Sequence, residues 1–148
     1  MDLQTLMRQV ELFRGLTSDQ LNTLSAICQH ESYPNGALIF EQGDDGDKMY
    51  LIASGQIEVR VQTSTGDTYP ALYLGRGQVF GEMALIDSGR RSATVVAIGD
   101  ETSVYSLPTD KFTTLCRENT AIGYVMMRNL AQDLSFKLRH RDYDPSKS

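Results

Sequence analysis

The segment Gly77-Gln78-Val79-Phe80-Gly81-Glu82-Met83-Ala84-Leu85-Ile86-Asp87-Ser88-Gly89-Arg90-Arg91-Ser92-Ala93-Thr94-Val95 lies between two stretches with the pattern of β-strands. Its centre, Glu82 to Ile86, consists of good helix formers and predicts about one and a half turns of helix. The start of a helix offers unpaired backbone N–H groups, and Gly81 has no side chain to keep a ligand away from them. The segment therefore predicts a binding site for an anion such as a phosphate.

Three side chains near this turn suit a sugar phosphate. The loop before Arg91 is short enough to bring its guanidinium over the start of the turn, where it can bind a phosphate through two hydrogen bonds. Ser92 adds a hydroxyl. Glu82 would repel a phosphate unless the ligand also offers a hydroxyl to the carboxylate, as a ribose phosphate does. The alternative is that Arg91 and Glu82 only form a salt bridge with each other.

Short strands flank the segment on both sides. From about residue 31 to 108 the hydrophobic residues alternate, and Gly, Asn and Asp recur at short intervals, which is typical of a β-sandwich or barrel. In residues 56–61, Ile57, Val59 and Val61 share one face. Val59 is therefore expected to point into the core.

Helical patterns precede and follow these strands. Hydrophobic residues recur every three or four positions over residues 2–30, where Gly15 separates two helices and Thr17 and Gln20 have the spacing of a capping box. After Pro108 the sequence predicts a short helix to Cys116 and a longer one over about 120–140, and residues 142–148 are expected to fray. The hydrophobic stripe of the long helix, with Met126 and Met127, is broader than one buried face needs. This favours a protein partner or self-association through this helix.

Composition narrows the classes of function. The chain of 148 residues has a formal net charge of −5, which excludes a surface-wide attraction to nucleic acid or anionic lipid and means that an anion needs a local site. It has neither a signal peptide nor an apolar run of about 20 residues that could cross a membrane, so we expect a cytoplasmic protein. Cys28 and Cys116 are expected to be buried thiols in helical contexts, and His30 and His140 do not form a metal cluster, so no metal is expected.

The segment resembles the phosphate-binding cassette of the cyclic nucleotide-binding domain family, which includes the catabolite activator protein sensor domain and the cAMP domains of protein kinase A regulatory subunits. The family pattern Phe-Gly-Glu-(Leu/Met)-Ala-Leu matches residues 80–85, and Arg-(Ala/Ser/Thr)-Ala-Thr-Val matches residues 91–95 after a loop of the family's length. The resemblance implies a mainly β fold, a jelly-roll β-barrel with flanking helices, as one domain over residues 1–148. The N-terminal helices would occupy 1–30, the barrel 31–108 with its cassette at 77–95, and the C-terminal lid helices 109–141.

The resemblance also implies a role for the matching residues. Arg91 would pair with the cyclic phosphate, and Glu82 would accept the ribose 2′-hydroxyl. Ser92 lies where family members place a hydroxyl that contacts the phosphate or a guanine. The backbone N–H groups that contact the phosphate would come from the cassette residues Gly81, Glu82, Met83 and Ala84. Ala93, after Ser92, would also belong to the site.

The base would be held on an apolar side of the pocket. Val59, Ala71 and Leu72 match family positions that line this side. The lid that closes over the base would come from around Leu134 to Leu138. Arg90 matches no family position and is expected to be solvated.

The function implied by the resemblance is that of a non-catalytic module that senses cAMP, ahead of cGMP, and transmits binding through its C-terminal helices to a partner or a second copy. Glu82 has no matching nucleophile or metal ligand, so no enzyme activity and no enzyme cofactor are expected. The chain ends too soon after the long helix for a helix-turn-helix, so we expect no DNA-binding domain in it. The alternatives are a nucleotide-free interaction domain on the same barrel and a fragment of a larger cyclic-nucleotide-regulated protein.

Overall fold

The computed structural model describes residues 2–141, in which helices lie on both sides of an antiparallel sheet in chain order. The helices are α1 (Leu3–Arg8), α2 (Ser18–Ser25), α3 (Ala84–Asp87), α4 (Thr109–Glu118) and α5 (Thr120–Arg141), and a 3₁₀ turn spans Glu11–Phe13. The strands are β1 (Gln29–Pro34), β2 (Leu38–Phe40), β3 (Lys48–Gln62), β4 (Thr68–Gly75), β5 (Val79–Phe80) and β6 (Thr94–Pro108).

The strands form one sheet whose neighbours run in the order β1-β6-β3-β4, while β2 pairs with β6 and β5 with β3. Every strand contributes a hydrophobic side chain to one common core: Tyr33, Phe40, Ile52, Leu74, Phe80 and Val104. A single sheet whose strands all face the same core has to curl around it, as in a barrel. The predicted mainly β barrel with flanking helices is confirmed.

The long strand β3 bends at Gly55, and this bend sets the position of β5. The pairing of β3 with β6 is irregular on both sides of Ser54. Gly55 has a φ of +86°, and a Cβ there would lie 2.5 Å from Oγ1 of Thr102 and 2.6 Å from the carbonyl oxygen of Glu101. Only glycine fits such a close approach between strands. Before Gly55, β3 pairs with β5, and after Gly55 it pairs with β4. Gly81 directly follows β5 in the chain, so the pairing of β5 with the first part of β3 places Gly81.

A second core joins the helices to one end of the barrel. Leu24, Phe112, Ile122, Met126 and Leu130 are among its fully buried residues. The amide Nδ2 of buried Asn129 donates to the carbonyl oxygens of Leu12 and Arg14, at 2.8 and 2.9 Å, and so fastens α5 to the 3₁₀ turn. The first half of α5 is thereby fixed, and its second half extends past the barrel with mostly exposed side chains.

The helix boundaries test the predictions from periodicity. The capping box is confirmed, since the Thr17 hydroxyl accepts from the N–H of Gln20 and the Gln20 side chain accepts from the N–H of Thr17. The helical prediction for residues 2–30 is wrong beyond Ser25, because Gln29–Pro34 pairs with β6. Cys28 is therefore not helical; it packs against the helical core from the turn before β1, and pairing with β6 outweighs the local spacing. The predicted fraying of residues 142–148 lies outside the described residues.

Candidate functional site

A cavity of about 490 Å³ opens between the barrel, residues 81–93 and the second half of α5. Such a volume suits a small-molecule ligand. The strands supply an apolar wall of Phe40, Val59, Phe80, Ala93 and Val95. The remaining lining residues are Gly81, Glu82, Met83, Ala84, Asp87, Gly89, Arg90, Arg91, Ser92 and Lys137. Of the residues predicted for the site, eight line this cavity, and Ala71 and Leu72 do not.

Arg91 is the buried cation of the cavity, with only 7% of its surface exposed. Its guanidinium lies over the ring of Phe40, with Cζ 4.1 Å from the ring centroid, and its Nη2 donates to the carbonyl oxygen of Lys48 at 2.6 Å. Burial lowers the pKa of Arg91, while Tyr50, Asp47 and Asp44 act in the opposite direction, and a guanidinium remains charged at neutral pH in either case.

The Nε of Arg91 is buried and has no hydrogen-bond partner among the described residues. A buried donor without a partner is costly, and native structures rarely contain one without a functional reason. The backbone of Arg91 is firmly held, since its N–H donates to Asp44 at 2.7 Å and its carbonyl accepts from Gly43 at 2.8 Å. The residue that carries this donor therefore has a fixed backbone position in the cavity wall.

Gly81 allows this placement of Arg91. Its φ is +72°, and a Cβ there would lie 2.6 Å from Nη1 of Arg91. The same Nη1 donates to the carbonyl oxygen of Gly81 at 3.3 Å. A side chain at position 81 would therefore force Arg91 to move.

The turn after Gly81 differs slightly from the predicted helix over Glu82 to Ile86. Helix α3 begins at Ala84, and the N–H of Ala84 already donates to the carbonyl oxygen of Gly81 at 3.2 Å. The N–H groups of Gly81, Glu82 and Met83 have no backbone acceptor within residues 2–141. Three of the four backbone donors that the sequence suggested over Gly81 to Ala84 are thus without a backbone partner, in the same cavity lining as Arg91.

Glu82 is held by a residue that sequence reasoning missed. Nζ of Lys137, on α5, lies 2.5 Å from Oε1 of Glu82 and 3.1 Å from Oδ2 of Asp133. The Glu82 side chain is 12% exposed and that of Lys137 52%. The alternative of a salt bridge between Arg91 and Glu82 is wrong, because the carboxylate nearest to Arg91 is Asp47, with Nη2 and Oδ1 3.9 Å apart. The sequence signal for Lys137 was only its i,i+4 spacing from Asp133.

Of the three residues expected on the apolar side of the cavity, only Val59 lines it. Val59 packs on the barrel core and lines the cavity. Leu72 pairs directly with Val59, but on the edge strand β4 it is 45% exposed. The register of β4 shifts beside Ala71, which has no partner in β3. The bulge interrupts the alternation at Ala71, whereas Leu72 shares the face of Val59 but is exposed on the edge strand, and neither residue lines the cavity.

The second half of α5 does not cover the cavity with its apolar residues. Phe136 and Leu138 are 61% and 57% exposed, and Leu134 is half-buried. From the predicted lid, only Lys137 lines the cavity within the described part of the chain.

Other candidate groups lie elsewhere. His30 contacts Ser103 and Tyr105, whereas His140 packs on Phe136. Burial raises the pKa of the Cys28 thiol to about 12, which leaves it unreactive. Among residues 2–141 no group of three or more His, Cys, Asp or Glu side chains could hold a metal ion, and no helix is both long and apolar enough to cross a membrane.

Comparison with known proteins adds independent information about this site. Residues 30–119, which include the cavity-lining strands and Arg91, match the family model of the cyclic nucleotide-binding domain. The chain is 35% identical over 138 residues to the cyclic AMP receptor protein of Thermus thermophilus, an alignment that covers 93% of this chain and 62% of that protein. The chain thus spans less than two thirds of the length of this relative.

Solved structures agree with the sequence comparison. The crystal structure of the Thermus thermophilus catabolite activator protein matches 90% of this chain and 61% of its own with a TM-score of 0.81 and 35% identity. The co-crystal structure of the regulatory domain of Toxoplasma gondii protein kinase A with cAMP matches 76% of this chain and 42% of its own, with a TM-score of 0.70 and 28% identity.

The close approach of Gly81 and Arg91 is testable by stability. Gly81→Ala should lower the free energy of unfolding by about 2 kcal/mol, because a left-handed φ costs an alanine about 1 kcal/mol and the Cβ would also collide with Nη1 of Arg91. Gly77→Ala is the matched control, since its φ is +81° and no atom lies within 4 Å of a Cβ there. Urea unfolding measures both variants, and equal losses would contradict the contact.

Proposed function

Since this chain belongs to the cyclic nucleotide-binding domain family, we propose that it binds a cyclic purine mononucleotide, cAMP ahead of cGMP, as a non-catalytic sensing module. The observation that carries the proposal is Arg91, a buried guanidinium in the cavity wall whose Nε lacks a partner among the described residues. A cyclic phosphate carries one negative charge and exposes two oxygens. It can therefore satisfy both the charge and the donor.

The phosphate would lie between Arg91 and the turn after Gly81. Nε of Arg91 and the N–H groups of Glu82 and Met83 would donate to its oxygens, and Ser92, which lines the same cavity, adds a hydroxyl. The N–H donors belong to the backbone and the Arg91 guanidinium is held by the carbonyls of Gly81 and Lys48, so binding requires little ordering of these groups. In an acidic chain this local group of donors supplies what the overall charge does not.

The ribose would lie beside Glu82. Oε1 of this carboxylate accepts from Lys137, which leaves Oε2 to accept from a 2′-hydroxyl. A carboxylate within reach of a bound phosphate is favourable only if the ligand also brings a hydroxyl donor. This pairing supports a cyclic mononucleotide with a free 2′-hydroxyl over a cyclic dinucleotide.

The base would pack against the apolar wall that includes Val59 and Val95. Leu72, beside Val59 at the rim, would contact the base only if the lid closed over both. The preference for cAMP rests on the names of similar proteins, a cyclic AMP receptor protein and a protein kinase A domain bound to cAMP. Ser92 keeps cGMP as the second candidate, because its exposed hydroxyl can also accept from the amino group of a syn guanine.

The output would pass through the C-terminal helices. On α5, Met126 is fully buried whereas Tyr124 and Met127 are 64% and 40% exposed. The residues Tyr124, Met127, Leu134 and Leu138 are separated by three, seven and four positions. Hydrophobic residues with this spacing form the seam along which one helix packs against another. We infer that this seam binds a protein partner or a second copy of the chain. Sedimentation velocity with and without nucleotide distinguishes the two, since only self-association raises the sedimentation coefficient of the purified chain.

The proposal also covers the setting of the module. We expect residues 1–148 to act as one domain in the cytoplasm, whose α5 changes position when the cavity fills. Enzyme activity is not part of the proposal, since the carboxylate of Glu82 is engaged by Lys137.

The decisive experiment is a titration of the purified chain by calorimetry and thermal unfolding with cAMP, cGMP and 5′-AMP. We expect saturable binding of cAMP, and stabilisation by about 2.7 kcal/mol at a hundred times Kd. The ring-open 5′-AMP, with a second phosphate charge, should bind far more weakly. Neither heat nor stabilisation with both cyclic nucleotides would favour a nucleotide-free interaction domain instead.

Arg91→Leu should weaken cAMP binding by about 2 to 4 kcal/mol, because it removes a buried charge-assisted pair. The matched control is Arg90→Leu, which removes the same charge from an exposed position in the same cavity wall and should have a much smaller effect. Calorimetry measures both affinities. An unchanged affinity in Arg91→Leu would refute the role of this guanidinium.

Glu82→Ala should weaken binding of cAMP more than binding of 2′-deoxy-cAMP, because only the ribose nucleotide loses a hydrogen bond to the carboxylate. Competition binding of the two ligands to the wild type and the variant gives the comparison. Equal losses for both ligands would argue against the contact with the sugar.

A further inference from the structure

The ion pair of Glu82 and Lys137 separates two cavities. Both side chains line the main cavity, and both also line a neighbouring one of about 320 Å³ between the 3₁₀ turn, the β4–β5 connection and α5. The pair is therefore a wall of the proposed nucleotide site contributed jointly by the barrel and the last helix.

The two side chains of this ion pair differ in their exposure to solvent. Glu82 is mostly buried in the turn after Gly81, whereas Lys137 is half-exposed on the part of α5 beyond the buried core. Burial alone would lower the pKa of Lys137, but its hydrogen bonds and attraction to Glu82 and Asp133 outweigh this and raise the pKa. Lys137 is therefore a full cation at neutral pH, and it engages one carboxylate oxygen, Oε1.

The charges around the main cavity show what Lys137 adds. Its ionisable lining residues are the carboxylates Glu82 and Asp87 and the cations Arg90, Arg91 and Lys137. Arg90 is exposed to solvent, which screens its charge, whereas Lys137 lies directly on the carboxylate of Glu82. Without Lys137 the carboxylate of Glu82 would face the phosphate with no cation on it.

We propose that Lys137 is a positioning residue of the nucleotide site: it holds Glu82 through Oε1, so that Oε2 is aimed at the ribose 2′-hydroxyl, and it thereby ties α5 to the sugar of the ligand. This inference rests on the proposed function. It assigns a ribose-specific role to a cation on the last helix. An ordinary half-exposed salt bridge would add little to stability and nothing to ligand discrimination.

The test is the preference of the protein for cAMP over 2′-deoxy-cAMP, measured by calorimetry. We expect a preference of about tenfold in the wild type, the usual value of one hydrogen bond to a charged acceptor. Lys137→Met should reduce this ratio to about threefold or less, and should weaken cAMP binding, because Glu82 is no longer held and its charge is no longer offset. Lys137→Arg should restore most of the ratio.

Two controls separate positioning from other effects. Lys111→Met removes the same charge from an exposed site on α4 and should leave the ratio unchanged. In a Glu82→Gln background, Lys137→Met should cause no further loss of discrimination, because the two residues act through one carboxylate. Circular dichroism confirms that each variant is folded.

The outcomes distinguish the two proposals. Wild-type binding with an unchanged ratio, or tighter cAMP binding, in Lys137→Met overturns the role of Lys137 and leaves the proposed function standing. Failure of the wild type to bind either nucleotide overturns the proposed function, and the role of Lys137 with it.

Discussion

The site depends on a positive charge kept out of water inside an acidic chain. Arg91 is 7% exposed, is stacked on Phe40 and donates to the carbonyl of Lys48, yet its Nε has no partner within residues 2–141. Burying a charge is costly, and two carbonyls, a ring face and the exposed carboxylate of Asp47 at 3.9 Å offset only part of the cost. A bound anion would complete the compensation, so the same interaction that strains the nucleotide-free fold would drive recognition.

The surrounding fold holds this charge in place. The bend of β3 at Gly55 lets β5 deliver Gly81 to the guanidinium, and the bonds from Gly43 and to Asp44 fix its backbone. Phe40 comes from β2 and Lys48 from the start of β3, so residues far apart in sequence surround one side chain. On the opposite side Lys137 brings the last helix to the cavity through Glu82. The barrel therefore positions the groups proposed to bind the nucleotide, and α5 is the element that the proposed function assigns to transmission.

Local sequence patterns predicted much of this arrangement. Three predictions from short-range rules agree with the structure. They are the capping box at Thr17, the inward side chain of Val59 and the contact of Gly81 with Arg91. The family resemblance predicted the barrel and the cassette.

The start of the first strand was placed at residue 31 and not at Gln29 because its hydrogen bonds go to β6, more than 60 residues away in the chain. Leu72 and Ala71 were placed in the pocket because they match family positions, and that match does not report the bulge at Ala71 or the exposure of Leu72 on an edge strand. Lys137 was missed because nothing local reports which distant carboxylate a helical lysine reaches.

The most direct measurement of the central claim is a crystal structure of the chain grown with cAMP. The account predicts a phosphate oxygen within hydrogen-bond distance of Nε of Arg91, a second one at the N–H groups of Glu82 and Met83, and the 2′-hydroxyl on Glu82. A nucleotide bound elsewhere on the surface, or a cavity without nucleotide in which Arg91 keeps only its bonds to Lys48 and Gly81, would contradict it.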